Sequence, residues 1–404
     1  MERNDYVRSV SVGVWVKVGS SLESKALNGV SHFIEHMVFK GTQTRSSLEL
    51  ATVIESLGGD LNAFTDREVT CYHATVLSEH LKIALEVLSD LTLHPVFPKN
   101  EIEPEKRVLL QELSMIGESP DDQIYDLFFR GVWKNQSLGQ PVIGNKNTIE
   151  SFNRSTALQM FKKYYQPNNM VISVAGNINP ELLVDWCEDL FVGPAAKKPI
   201  PKSDLRVKYK PTRKQKEIPT DQLHLILGFE GLSMHDSARY AALVLNVYLG
   251  GGMSSRLFQE IREKAGLAYT VDCDFISFAN AGLCAIYMAL QPKSLGQCLK
   301  ILGKELTQVV NAPISETSLS AIKNQIKGSI ILGSEHTESR QESLGRNELF
   351  FGRHFTPEEI VKEIEHVSVE QVQDVAKKIF KPATESSIVL SRSKPKIKEV
   401  TIFS

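Results

Sequence analysis

The 404 residues carry 42% hydrophobic and 23% charged side chains, enough to bury the cores of two ordinary domains and unlike a fibre or a disordered chain. Lys and Arg number 46 against 48 Asp and Glu, a formal charge of −2, so no field draws the chain to nucleic acid or to an acidic membrane surface, and neither is expected as a partner. The five cysteines, Cys71, Cys187, Cys273, Cys284 and Cys298, are odd in number and scattered, with no C-x-x-C pair, which fits a reducing compartment.

The N-terminus has no apolar signal core, and no apolar run approaches the roughly 18 residues that span a bilayer. The expectation is a soluble, unexported protein of a bacterial-type cytoplasm, with an organelle matrix as the other compartment. From Ser9 to Val18 the chain alternates, with Val10, Val12, Val14, Val16 and Val18 on one side, the pattern of a strand covered on one face. Helical periodicity follows around 28–38, 47–57, 79–93 and 99–117, the third with Leu81, Leu85 and Leu88 at helical spacing. Strand-like segments lie at 60–77 and 170–175. Strands and helices mixed at irregular spacing predict an α+β fold with mostly antiparallel sheets packed with helices.

Between Gly193 and Asp204, Pro194, Pro199 and Pro201 alternate with Lys197, Lys198 and Lys202, a composition that breaks regular structure. The spacing predicts a linker at 194–204 between one domain at 1–193 and another at 205–404. At an offset of 214 residues, Val69–Leu91 lies on Leu283–Glu305, with Leu81, Leu85 and Leu88 on Leu295, Leu299 and Leu302. The same offset sets the strand around Val14 on Gly228. Two homologous domains from an internal duplication are expected.

The chemistry concentrates in Gly29-Val-Ser-His-Phe-Ile-Glu-His-Met-Val-Phe. His32 and His36, four apart on a helix, share one face, so both imidazoles can reach one ion. Two neutral imidazoles suit Zn²⁺, which needs a third protein ligand and an open position for water. Glu35 is placed to take the proton of that water, and the H-x-x-E-H order is the inverzincin signature. The third ligand is expected on another helix. In Glu103-Pro-Glu-Lys-Arg-Val-Leu-Leu-Gln-Glu-Leu, Glu105 and Glu112 are seven apart and share a face. One can ligate while the other bonds to a ligating histidine, and spacing does not say which.

His32-Phe-Ile-Glu-His36-Met-Val-Phe-Lys-Gly-Thr resembles the active-site helix of the pitrilysin-type metallopeptidases, and most closely the beta subunits of the mitochondrial processing peptidases and their bacterial homologues. The resemblance implies that Glu112, 76 residues past His36, is the third ligand and that Glu105 supports a histidine. Leu57-Gly-Gly-Asp-Leu-Asn-Ala-Phe-Thr is similar to the family's edge strand that takes substrate by strand addition, which implies substrate contacts at Asn62 and Ala63. Leu257-Phe-Gln-Glu-Ile-Arg-Glu-Lys-Ala-Gly-Leu-Ala-Tyr-Thr-Val is similar to the segment carrying the family's Arg and Tyr pair, here Arg262 and Tyr269. A cation and a phenol can steady a carbonyl as it becomes an oxyanion. Family members usually begin with one more strand than the nine residues before Val10 suggest, so that edge is expected to be shortened or trimmed.

At the 214 offset the metal-site positions become Asn246, Leu249, Gly250 and Ile326, so one zinc per chain is expected, in the first domain. The Gly250-Gly-Gly run lacks the Gly-Lys-Ser/Thr of a phosphate loop and reads as a turn. The resemblance implies a zinc endopeptidase that pairs into a homodimer and cleaves short unfolded peptides or presequence-like segments inside a closed chamber. Two alternatives share the fold: a non-catalytic core subunit, which usually loses the metal residues, and the catalytic half of a heterodimer.

Overall fold

The computed structural model describes residues 1–192, 207–393 and 400–402. They form two compact units, each with one five-stranded sheet. In the first unit the strands are β1 (Glu2–Arg3), β2 (Ser9–Val16), β3 (Asp60–Thr65), β4 (Thr70–Leu77) and β5 (Met170–Gly176). Their order is β1-β5-β2-β4-β3, antiparallel throughout except for the β1–β5 pair. In the second unit β6 (Arg213–Glu217), β7 (Leu223–Glu230), β8 (Ala268–Ser277), β9 (Gly282–Leu290) and β10 (Ser386–Ser391) have the order β6-β10-β7-β9-β8, with β6–β10 parallel.

The second sheet repeats the first strand for strand. β2 and β7, eight residues each, begin at Ser9 and Leu223, the 214-residue offset read from the sequence. The helices Leu81–Leu93 and Leu295–Asn311 begin at the same offset. The two outer strands differ in length: β1 has two residues, registered against Ala175 and Gly176, where β6 has five.

The expected α+β architecture and duplication are present, but the units are not the contiguous halves 1–193 and 205–404. The segment 331–356 belongs with the first unit and 116–139 with the second. The helix Thr337–Phe351 packs on β2 and β5, and the helix Pro120–Val132 packs on β7 and β10. Equivalent helices of the two repeats are therefore exchanged. The expected linker at 194–204 lies outside the described residues.

This exchange corrects the reading of β2 as covered on one face. Every residue from Val10 to Val16 is buried. The valines face the helix Leu81–Leu93 side, while Ser11, Gly13 and Trp15 lie under Thr337–Phe351. Ser11 Oγ is 2.8 Å from Thr337 Oγ1, and Gln341 and Trp15 both donate to Ser173 Oγ, at 2.6 and 2.8 Å. A Cβ at Gly13 would stand 1.8 Å from Gln341 Nε2. Ser11 and Gly13 leave room on that face for a helix, whose Thr337 and Gln341 side chains bond to Ser11 and to Ser173 of β5.

Candidate metal centre

The helix Val30–Val38 starts at Gly29, whose φ of +95° is in the left-handed region that favours glycine. A Cβ there would also meet the Ile143 carbonyl oxygen at 2.4 Å. Glycine has no side chain to cap the helix, and a distant carboxylate does so. Glu23 Oε2 accepts from the Gly29 N–H at 2.6 Å and from Asn28 Nδ2 at 3.0 Å, and Oε1 accepts from the Ser31 N–H at 2.7 Å. Burial pushes the Glu23 carboxyl up, against the pull of those donors.

Along this helix all residues but His36 are buried, which holds the motif against the core rather than in solvent. The Nε2 atoms of His32 and His36 point to one spot, 3.2 Å apart. Glu112, on the helix Lys99–Glu118, brings its two oxygens to 3.7 Å from His32 Nε2 and 3.8 Å from His36 Nε2. The three ligand atoms lie within 4.8 Å of one another, and among the described residues no other trio of His, Cys, Asp or Glu does so.

Glu105, one helical stripe from Glu112, is buried and accepts His36 Nδ1 at 2.7 Å. Its other oxygen takes Lys40 Nζ at 2.6 Å. Burial raises the Glu105 carboxyl, but His36 and Lys40 outweigh it and leave its pKa below the ordinary value. His36 is shifted up: burial disfavours its cation, while Glu105, Glu35 and Glu112 more than compensate. His32 goes the other way, held down at about 3 by burial and by the His36 imidazole. Its Nδ1 is buried with no hydrogen-bond partner, and so is Glu35 Oε2. Burial pushes the Glu35 carboxyl up, against a hydrogen bond from Thr65 at the end of β3.

These residues fit a zinc ion. Two ligand atoms at 2.0–2.1 Å from one ion and at a tetrahedral angle stand about 3.3 Å apart, close to the 3.2 Å between the two Nε2 atoms. Two imidazoles and one carboxylate leave a fourth position open. Glu105 on Nδ1 of His36 fixes the tautomer that offers Nε2. Thus Glu112 faces both Nε2 atoms while Glu105 binds the opposite ring nitrogen, a division of labour that spacing alone left open.

β3 ends its sheet, so its second edge has no partner within that sheet. Asn62 Oδ1 accepts from the Ala63 N–H at 2.8 Å, so one backbone donor of this strand is held by its neighbour's side chain. In the second unit Arg262 lies on a π-helical turn, Phe258–Glu263, with its guanidinium 4.7 Å from the Phe258 ring and 5.7 Å from the Tyr269 ring. Tyr269 is 71% exposed. The structure thus brings Arg262 and Tyr269 together as a pair of their own. Of the positions equivalent to the metal site, Leu249 and Ile326 are buried in the second unit's cluster, Asn246 is partly buried, and the Gly250 run closes the helix Arg239–Gly250.

Sequence reasoning missed Lys40, Thr65 and Glu23. Lys40 had a usable signal, since it follows His36 by four residues. Glu23 had none, because it comes from an irregular segment where no periodicity applies.

The chain matches the family described as Insulinase (Peptidase family M16) over residues 1–146 and the Peptidase M16 inactive domain over residues 151–326. It is 41% identical over 383 residues to the uncharacterized zinc protease YmxG of Bacillus subtilis (strain 168), covering 94% of this chain and 92% of that protein. An uncharacterized zinc protease of Rickettsia felis is 37% identical, with 95% and 93% covered. Among solved structures, a protease from Helicobacter pylori superposes with a TM-score of 0.88 at 20% identity, covering 95% of this chain and 94% of that one. A peptidase M16 inactive domain from Pseudomonas fluorescens gives 0.85 at 19% identity, with 97% and 94% covered. No helix of the described residues is long and apolar enough to cross a membrane. Matched in both halves and along nearly the full length of its relatives, the chain belongs to peptidase family M16, the insulinase family.

Proposed function

We propose that this chain is a zinc endopeptidase for short unfolded peptides, with one zinc held by His32, His36 and Glu112 of the first unit. The observation that carries the reading is the convergence of two imidazole nitrogens and one carboxylate beside a buried Glu35 with an unpartnered oxygen. When bound, zinc supplies a Lewis acid that lowers the pKa of a coordinated water toward about 7. Glu35 would be the residue to accept a proton from the attacking water and to pass it to the leaving amine. Glu105 and Lys40 keep His36 in the ligating tautomer.

Substrate is taken as a strand added to the outer edge of β3, with contacts at Asn62 and Ala63. The Asn62 side chain yields the Ala63 N–H to the incoming peptide. Only a segment able to become extended can bind this way, which selects unfolded or presequence-like peptides over folded proteins. Arg262 and Tyr269 of a second copy steady the carbonyl oxygen as charge develops, within a chamber that the homodimer closes. The full metal set and the Arg and Tyr pair in one chain favour this reading over a non-catalytic core subunit and over half of a heterodimer.

The test is metal analysis of the purified protein together with cleavage of an unstructured peptide library, with and without a chelator. One zinc per chain and chelator-sensitive cleavage are expected. Cleavage that persists in the metal-free protein would overturn the reading.

A further inference from the structure

The two histidines of the metal helix are held by different means. His36 has Glu105 on its Nδ1 at 2.7 Å. His32 has no such partner: its Nδ1 is buried, and among the described residues no group bonds to it. No hydrogen bond at Nδ1 steers the His32 ring, so its direction depends on packing against the His36 ring and on its own backbone, and that backbone is the first turn of Val30–Val38.

That turn hangs on Glu23. Its carboxylate, 6% exposed, spans the N–H groups of Gly29 and Ser31 and takes Asn28 Nδ2 as well. Among the described residues no cation pairs with it, so the N–H donors and the positive end of the helix alone hold its charge. The same cluster ties the turn to the loop that follows the Pro120–Val132 region in the chain. Asn28 Nδ2 also donates to the Pro141 carbonyl at 2.8 Å, and Gln140 Nε2 donates to the Glu23 carbonyl at 3.2 Å. His32 is the residue next after the last N–H that Glu23 holds.

We infer that Glu23 is a positioning residue for the metal centre, doing for His32 through the helix backbone what Glu105 does for His36 through the ring. The inference rests on the proposed zinc site. A simple cap would support only folding. A positioning carboxylate also sets the affinity of the metal, since a shift of the first turn moves one ligand atom of three while the others stay.

The experiment measures zinc affinity by chelator competition and the melting of the metal-free protein, for Glu23→Gln, Glu105→Gln and His32→Ala. Cobalt(II) replaces zinc in a parallel set to read ligand geometry from its d–d absorption. Glu23→Gln keeps the shape but leaves one N–H facing an amide group. Its zinc affinity is expected to fall on the order of 10–100-fold, as for supporting partners of metal ligands, with a changed cobalt spectrum and His36 chemistry left alone. A Glu23→Gln protein that melts lower yet binds zinc with unchanged affinity and an unchanged spectrum would overturn the inference and leave Glu23 a cap. Should Glu23→Gln not fold, Glu23→Asp, one methylene shorter with its charge kept, is read by the same two outcomes. His32→Ala separates this from the underlying site: zinc retained in that variant would sink the site itself, whereas zinc lost there and kept by Glu23→Gln sinks only the role of Glu23.

Discussion

Glu105 stands 2.7 Å from Nδ1 of His36, on the side of the ring away from Glu112. The buried carboxylate orients the imidazole and is itself neutralised by Lys40. Replacing it with glutamine keeps the shape but weakens the hold on the ring and strands the lysine. Glu105→Gln is expected to bind zinc on the order of 10–100-fold more weakly while remaining folded. Chelator competition checks it, and wild-type affinity would mean that the bond does nothing for the metal.

Glu35 is the opposite case, since it stands beside the ligands without being one of them in this reading. Glu35→Gln is expected to keep one zinc per chain and to lose cleavage of an unstructured peptide by a factor of at least about 10². Zinc content and turnover are measured on the same sample. Turnover at the wild-type level would remove Glu35 from the proton transfer.

Glu112 is 39% exposed at its side chain and meets His32 and His36 only at 3.7 and 3.8 Å, beyond hydrogen-bond distance, so the fold should survive its removal. Glu112→Ala is expected to lose bound zinc in atomic absorption, because two imidazoles alone hold zinc poorly. Unchanged stoichiometry would pass the third position to another carboxylate.

The parts of this structure legible in the sequence are those with a local period. The alternating valines gave β2, helical spacing gave Leu81–Leu93 and Lys99–Glu118, and the four-residue step from His32 to His36 gave the shared face. Glu105 and Glu112 were recognisable as a pair, but only the fold shows which ring nitrogen each one meets. What stayed hidden depends on chain segments far apart. Nothing local marks Thr337–Phe351 as the cover of β2, since the face it buries is Arg340, Gln341, Leu344 and Gly345, with no apolar stripe to announce it. Glu23 caps a helix six residues on because Gly29 cannot, a relation that no periodic template contains.

The exchanged helix makes a stability prediction. Gly345 lies on Thr337–Phe351 where a Cβ would stand 2.0 Å from Trp15 Nε1, and Trp15 is fully buried with its N–H on Ser173. A fully buried indole held by that bond has little freedom to give way. Gly345→Ala is expected to destabilise the protein by about 1–3 kcal/mol in spite of alanine's better helix propensity. Denaturant unfolding measures it, and a gain in stability would mean that the helix does not press on β2 as described.

Arg262 and Tyr269 invite a test in mixtures. The guanidinium lies against the Phe258 and Tyr269 rings, on a π-helical turn of a kind often found at functional sites. The charge of Arg262 reaches Asp272, yet the exposed Tyr269 gives the pair a surface to present. If the pair serves the metal centre of a second copy, a Glu35→Gln chain still offers a sound Arg262 and an Arg262→Ala chain still offers a sound Glu35. Neither variant alone should cleave well. Mixed under conditions that let chains exchange, they should form heterodimers with one complete site, and statistical pairing puts about half of the dimers in that form. Recovery of roughly a quarter of wild-type activity is then expected, since each such dimer has one working site of two. Exchange shown by a labelled chain without any recovery would place the pair's contribution within its own chain or remove it from the reaction.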